Sequence, residues 1–189
     1  MANLEYITFA PVLVTGATGY VASWLVKRLI EAGFTVHAAD RDPSNPDKLK
    51  YLNALAESLP GNIQYFKADL LEVGSYAEAM QGCAVVFHTA SPFTLNPDDP
   101  QKDLIEPAQS GTRNVLEQAN KTPSVNRVVV TSSCAAIYGD NADLAGVSGG
   151  ALTESDWNTS SSLRDQPYTY SKTLAEQEAR KLSIAEARW

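Results

Sequence analysis

The sequence predicts a doubly wound α/β fold built on a parallel sheet. Short apolar runs alternate with helical segments along the chain, and this order is typical of crossover connections between parallel strands. A glycine-containing turn joins the first apolar run to the first helical segment. Three consecutive valines, residues 128–130, indicate a strand that is buried on both faces.

Composition limits the classes of protein to consider. A chain of 189 residues suits one domain covering 1–189. The net charge of -7 argues against nucleic acid and anionic membranes as partners. The beginning of the chain, MANLEYITFA, lacks the basic and long apolar regions of a signal peptide. Two cysteines without a CxxC or Cys/His cluster indicate reduced thiols and no metal site, so we expect a cytoplasmic protein.

Strands and helices follow from apolar runs and from glycine and proline at their ends. The predicted strands are 12–14, 34–39, 63–68, 84–89 and 127–131. The first helix presents an apolar face of Val21, Trp24, Leu25, Leu29 and Ile30, and it ends at Gly33. The other helical segments are 49–59, 75–80, 100–120 and 168–187. The polar stretch 147–167 is longer than an ordinary connection, which predicts a binding loop or lid.

The turn 16–22 has the pattern Gly-x-x-Gly-x-x-Ala between a predicted strand and a helix. Gly16 permits a tight turn, Gly19 lets the backbone approach a pyrophosphate, and Ala22 allows close helix packing. The helix N-terminus then offers N–H groups to phosphates. The pattern therefore predicts a dinucleotide site, whose candidate contacts here are Gly16, Thr18, Gly19, Tyr20 and Val21.

The end of the second predicted strand leaves the identity of the dinucleotide open. Asp40 lies where an acidic residue holds the ribose 2′-hydroxyl of NAD. Arg41 is adjacent and Lys48 follows, and cations there favour the 2′-phosphate of NADP. The alternative is that all three are solvated loop charges.

A catalytic pair is predicted on the last helix. Tyr168 and Lys172 are at i and i+4, so they share a helix face. A nearby ammonium lowers the pKa of a phenol, and a phenol so adjusted transfers a proton at a carbonyl or alcohol oxygen. A third hydroxyl is expected from Thr131, Ser132 or Ser133, at the end of the fifth strand.

With these residues in order, the chain resembles the extended short-chain dehydrogenases/reductases, in particular the dihydroflavonol reductase and cinnamoyl-CoA reductase branch. The matching stretches are VTGATGYVASWLVKRLIEAG, RDPSNPDKLKYL, ADL, VFHTASPF, GTRNVLEQA, VVVTSSCAAIYG and YTYSKTLAEQEA. The resemblance implies a Rossmann-type sheet and a reductase of small carbonyl or alcohol substrates. It favours NADP(H), with NAD(H) as the alternative.

The resemblance also implies individual roles. Ser133, Tyr168 and Lys172 match the catalytic triad. The matching cofactor contacts are Asp69 and Leu70 beside the adenine, Thr89, Ala90 and Ser91 beneath the nicotinamide ribose, and Arg41 and Lys48 at the NADP phosphate.

The chain departs from the branch at three places. Asp40 stands where the reductases have an uncharged residue, and it coincides with the ribose-binding aspartate of the epimerases. Cys134 takes the catalytic serine position if the chain is aligned with epimerases, whereas Ser133 takes it in the reductase alignment that we prefer. Family members continue past Trp189. We therefore expect an N-terminal portion that lacks the last strands and the C-terminal substrate lobe, with an open edge at the fifth strand.

Two alternatives to a reductase remain: an NAD-dependent epimerase or dehydratase, and a dinucleotide-binding sensor without catalysis. Asp40 favours the epimerase, whereas the intact Tyr168 and Lys172 argue against the sensor. The helices 103–120 and 168–187 either form the interface of a homodimer or simply cover the sheet.

Overall fold

The computed structural model describes residues 10–94, 96–186 and 188–189. The described residues form two compact units. The first unit contains the described parts of Met1–Ala90, Asn114–Thr131 and Glu186–Trp189, and the second contains those of Ser91–Arg113 and Ser132–Ala185. The beginning of the chain, considered above for a signal peptide, and Ala187, in the last predicted helix, lie outside the described residues.

A parallel sheet of five strands lies in the first unit. The strands are β1 (Val12–Thr15), β2 (Thr35–Asp40), β3 (Asn62–Lys67), β4 (Val85–His88) and β5 (Arg127–Val130). Their order across the sheet is β3-β2-β1-β4-β5, and Val12 pairs with Val36 on one side and with Val85 on the other. The predicted fold class is confirmed, and the carboxyl ends of all five strands lie at one edge of the sheet.

The predicted helices are present with small changes at their ends. They are α1 (Tyr20–Glu31), α2 (Pro46–Ser58), α3 (Ala77–Met80), α4 (Glu106–Lys121) and α5 (Pro167–Glu186), and a π-helical turn, Gln101–Ile105, precedes α4. Three short 3-10 turns, Cys134–Ala136, Asn141–Gly146 and Ser148–Gly150, lie between β5 and α5. No helix within the described ranges is long and apolar enough to cross a membrane.

Helices lie on both faces of the sheet. The buried side chains of Val12 and Val14 pack with those of α1 in one cluster. On the opposite face, His37 of β2 lies 2.7 Å through Nδ1 from the carbonyl oxygen of Ala79 in α3. Because successive side chains of a strand point to opposite faces, the two helices cover different faces, as the doubly wound fold requires.

The buried face of α1 differs from the predicted one. Ala22, Val26 and Ile30, spaced by four residues, are its buried side chains. Val21 is 62% exposed and Trp24 46% exposed, so placing them on the apolar face was wrong. Leu25 and Leu29 pack against the cluster but are only partly buried, because they lie beside the row of buried side chains on α1.

Gly33 ends α1 as predicted. It has φ +86°, a left-handed conformation that favours glycine. Its N–H donates to the carbonyl of Ile30 at 3.1 Å, and the N–H of Phe34 donates to that of Leu29 at 3.0 Å. These bonds give the last turn of the helix a glycine C-cap.

The valine strand β5 is at the edge of the sheet and not in its centre. It pairs with β4, and no other described strand pairs with it. Val129 is 41% exposed, so the prediction of burial on both faces was wrong. The expected open edge is confirmed among the described strands.

Candidate functional site

The turn 16–22 in the first unit makes a closely packed bend after β1. Gly16 has φ +63°, and a Cβ built on it would lie 3.0 Å from Cβ and 3.1 Å from Cα of Ala90. The N–H of Gly19 donates to the carbonyl of Gly16 at 2.9 Å. Both the left-handed conformation and the close approach therefore require glycine at position 16.

The N-terminus of α1 is suited to an anion. Gly19 is the N-cap, and no side chain makes a capping hydrogen bond there. Tyr20 and Val21, which open the helix, are exposed. The first N–H groups of a helix need partners from outside it, and phosphate oxygens are suitable ones. This turn therefore fits the pyrophosphate of a dinucleotide.

Thr15 fixes the end of β4 beside this turn. Its buried hydroxyl oxygen lies 3.1 Å from the N–H nitrogen of Thr89 and 3.0 Å from that of Ala90. It also lies 3.0 Å from Nδ1 of His88. The hydroxyl of Thr89 donates to the carbonyl of Thr15. Thr89 and Ala90 were predicted from the sequence as site residues, whereas Thr15, which holds them, was not.

The carboxylate of Asp40, at the end of β2, is bound within the first unit. Oδ2 accepts the hydroxyl of Thr18. Oδ1 accepts the N–H of Asp42 at 2.9 Å and lies 3.9 Å from Nζ of Lys48. Only 10% of the Asp40 side chain is exposed. The prediction of three solvated charges does not hold for this carboxylate.

The two cations at this end of β2 are open to solvent. Lys48, in the first turn of α2, is 44% exposed. Arg41 is exposed, and the structure gives its guanidinium no hydrogen bond or ion pair with another described residue. The end of β2 therefore presents two positive groups to solvent, while the Asp40 carboxylate is turned to Thr18 and the exposed Asp42 carboxylate accepts the hydroxyl of Ser44.

Asp69 and Leu70 follow β3 in a turn with its own polar contacts. The Asp69 carboxylate accepts the N–H of Leu71 at 2.9 Å. The hydroxyl of Ser75 donates to the Asp69 carbonyl at 2.7 Å. Asn114 of α4 donates from Nδ2 to the carbonyl of Leu70 at 2.7 Å. The side chain of Asn114 thus fixes the segment that the resemblance places beside the adenine.

The second unit brings together Ser91, Tyr168 and Lys172. The Lys172 ammonium donates to Oγ of Ser91 at 2.6 Å and lies 5.4 Å from the centre of the Tyr168 ring. Phe93 packs against the same ring, edge to face, with ring centres 5.2 Å apart. The predicted spacing of i and i+4 on α5 therefore does place the lysine over the tyrosine.

The pKa of Tyr168 does not move as the sequence analysis predicted. Burial raises the pKa of the phenol above its ordinary value, and a negative charge on Cys134 raises it further. Burial also lowers the pKa of the Lys172 ammonium. The expected lowering of the Tyr168 pKa is therefore wrong, because burial, and after it Cys134, raise the pKa of this phenol. At neutral pH Tyr168 is consequently a protonated hydroxyl, able to donate.

Ser133 and Cys134 follow β5 in the second unit, and Cys134 lies near enough to Tyr168 to act on its pKa. Oγ of Ser133 accepts the N–H of Ala135 at 3.1 Å, which caps the turn Cys134–Ala136. The Ser133 proton is not used in that bond. Cys134 is a free, exposed thiol. The hydroxyl of Ser132 donates to Glu176 of α5, so Ser132 has a structural partner.

Asn158, which the sequence analysis did not single out, holds the segment after Ser133. Its Nδ2 donates to the carbonyl of Ala135 at 2.8 Å, and its N–H donates to that of Ala136 at 3.0 Å. Asn158 is buried, and it lies in the polar stretch 147–167. That stretch is therefore attached to the backbone that carries Ser133 and Cys134.

The described residues contain no group of three or more His, Cys, Asp or Glu side chains that could hold a metal ion.

Comparison with known proteins agrees with this geometry. The profile of the NAD dependent epimerase/dehydratase family matches residues 12–186. The chain is 46% identical over 172 residues to cinnamoyl-CoA reductase CAD2 of Medicago truncatula, covering 89% of this chain and 51% of that protein. It is 46% identical over 176 residues to tetraketide alpha-pyrone reductase 1 of Arabidopsis thaliana, covering 91% and 52%.

A solved structure, Gre2 of Candida albicans in complex with NADPH, superposes with a TM-score of 0.79 at 32% identity, covering 95% of this chain and 54% of that chain. The chain therefore belongs to the NAD dependent epimerase/dehydratase family, the extended short-chain dehydrogenases/reductases. Its relatives include reductases of the expected branch. The chain spans about half the length of the curated relatives it matches.

Proposed function

We propose that the protein is an NADP(H)-dependent oxidoreductase that interconverts a carbonyl and an alcohol on a small organic substrate. The observation that carries this proposal is the second-unit group of Ser91, Tyr168 and Lys172, in which the half-buried Lys172 ammonium donates to Ser91 and lies over the Tyr168 ring. The relatives named as reductases support the same activity.

Different residues of this chain would bind the dinucleotide, donate the proton and orient the substrate. The turn 16–22 and the end of β2 would bind the dinucleotide, whose nicotinamide, when bound, supplies hydride chemistry. Tyr168 donates its phenolic proton to the substrate oxygen, which completes the alcohol. The positive charge of Lys172, which Ser91 holds in place, would stabilise the phenolate that Tyr168 becomes when it donates its proton. Ser133 would donate its hydroxyl proton to the same substrate oxygen in a hydrogen bond and so orient the substrate.

Two observations favour a reductase that uses NADP(H) over the epimerase alternative. The Asp40 carboxylate already accepts a hydroxyl and an N–H, so a ribose diol would have to compete for it. Arg41 and Lys48 are exposed and suited to bidentate or point-charge contact with a phosphate. A sensor would not need the contact of Lys172 with Ser91 and the Tyr168 ring.

The substrate class is proposed from Phe93. Its ring contacts that of Tyr168 edge to face and is 68% exposed. An aromatic or otherwise apolar group beside the carbonyl would cover this ring, so we propose aromatic and apolar aldehydes or ketones as substrates.

The test is NADPH oxidation by the intact protein against a panel of carbonyl compounds. Tyr168→Phe keeps the ring and removes the proton, so turnover should fall by about 10²–10⁴-fold while NADPH affinity is retained. Tyr170→Phe, on the same helix, is the matched control and should keep activity. Full turnover in Tyr168→Phe would show that this phenol is not the proton donor.

We propose one nucleotide-binding domain over 1–189, a homodimer formed through helices 103–120 and 168–187, and a cytoplasmic location without nucleic-acid or membrane partners. The net charge of -7 supports the last two exclusions, and light scattering of the intact protein measures the dimer.

A further inference from the structure

Asp40 departs from the residue type that the resemblance predicts at the end of β2, and its hydrogen bonds connect it to Thr18. Thr18, inside the turn 16–22, donates its hydroxyl to Oδ2 of Asp40. Oδ1 accepts the N–H of Asp42 and forms an ion pair with Lys48. Each oxygen of this carboxylate thus has a partner within the first unit.

A carboxylate at the end of β2 distinguishes nucleotides only if its oxygens are available. It selects NAD when it accepts a hydrogen bond from the ribose 2′-hydroxyl, and a free negative charge there also repels a 2′-phosphate. In this chain the Thr18 hydroxyl takes one of the two oxygens, and only 10% of the Asp40 side chain is exposed. Arg41 remains open to solvent at the same strand end.

We infer that Thr18 is a positioning residue for cofactor specificity. It retains the Asp40 carboxylate inside the protein, so that an acidic residue typical of NAD binding is compatible with NADP(H). Arg41, which is open to solvent, and Lys48 would then face the 2′-phosphate, with the Asp40 carboxylate held by Thr18. This inference rests on the proposed function, in which the turn 16–22 binds a nicotinamide dinucleotide.

The test measures dissociation constants of NADPH and NADH by fluorescence titration, without substrate or turnover. Thr18→Val removes the hydroxyl and keeps the side-chain shape. The ratio of the NADH to the NADPH dissociation constant should fall about tenfold, which corresponds to one hydrogen bond to a charged group. Thr18→Ser retains a hydroxyl and should keep the parent ratio.

A double-variant cycle separates this role from general damage to the turn. In the Asp40→Val background, Thr18→Val should leave the ratio unchanged, because no carboxylate remains to be released. If Thr18→Val weakens both nucleotides equally, or shifts the ratio equally in both backgrounds, the inference is wrong. If the unaltered protein binds NADPH and the ratio stays fixed in Thr18→Val, the inference alone fails. If the unaltered protein binds neither nucleotide, the proposed function fails and the inference fails with it.

Discussion

The close approach of Gly16 to Ala90 gives a prediction whose size follows from the structure. Gly16→Ala places a side chain at φ +63° and brings its Cβ to 3.0 Å from Cβ of Ala90. The left-handed conformation costs a non-glycine residue roughly 1–2 kcal/mol. Relieving a crowded contact against a neighbour typically costs a further ~1–3 kcal/mol.

Gly33→Ala is the matched control. Gly33 also has a positive φ, +86°, but a Cβ there has no atom within 4 Å. The free energy of unfolding of Gly33→Ala should therefore fall only by the backbone cost of roughly 1–2 kcal/mol. The difference in unfolding free energy between the two variants then measures the cost of the contact with Ala90.

Urea unfolding measures the loss of unfolding free energy in both variants, and fluorescence titration measures their affinity for NADPH. Gly16→Ala should be the less stable variant, and it should bind NADPH more weakly because the turn must shift to relieve the contact. Gly33→Ala should bind as the parent does. Equal losses of stability, or unchanged NADPH affinity in Gly16→Ala, would show that the close approach has no role in forming the site.

Two further predictions concern the second unit. The hydrogen bond from Arg113 lowers the pKa of the Glu178 carboxyl below its ordinary value of 4.5, so its contribution to stability is present above that value and is lost as pH falls through the lower, folded-state pKa. Arg113→Leu should flatten this loss in acid unfolding titrations, and an unchanged pH slope would contradict it. Ser133→Ala should reduce turnover strongly and Cys134→Ala only mildly in the NADPH oxidation assay; the reverse order would favour the epimerase alignment of this strand end.

The sequence predicted the parts of the fold that local patterns determine. All five strands and the position of Gly33 at the end of α1 followed from short-range apolar runs and from glycine or proline at element ends. The first helix itself was also predicted, but its buried face was not. Val21 and Trp24 are apolar and helical in spacing, yet they are exposed, because the orientation of α1 is set by its packing on β1 and β2.

The candidate site was predicted as a set of residues, whereas the bonds among them were not. The i and i+4 spacing was sufficient to place Lys172 over Tyr168. It was not sufficient to predict the direction of the phenol pKa, which depends on burial among distant segments. Asn158 holds the backbone after Ser133 from a polar loop, and a single asparagine in such a loop gives no periodic signal.

The bonds of Thr15 connect the backbone after β4 to a neighbouring ring. Its hydroxyl oxygen accepts from two backbone N–H groups, those of Thr89 and Ala90, which uses both of its lone pairs. Its own hydrogen therefore remains for the contact with Nδ1 of His88. The Thr15 hydroxyl is thus shared between the backbone after β4 and the ring of His88. A substitution that removes this hydroxyl would therefore release two backbone N–H groups and an imidazole at once, which makes Thr15 the shared anchor of the segment that leaves β4.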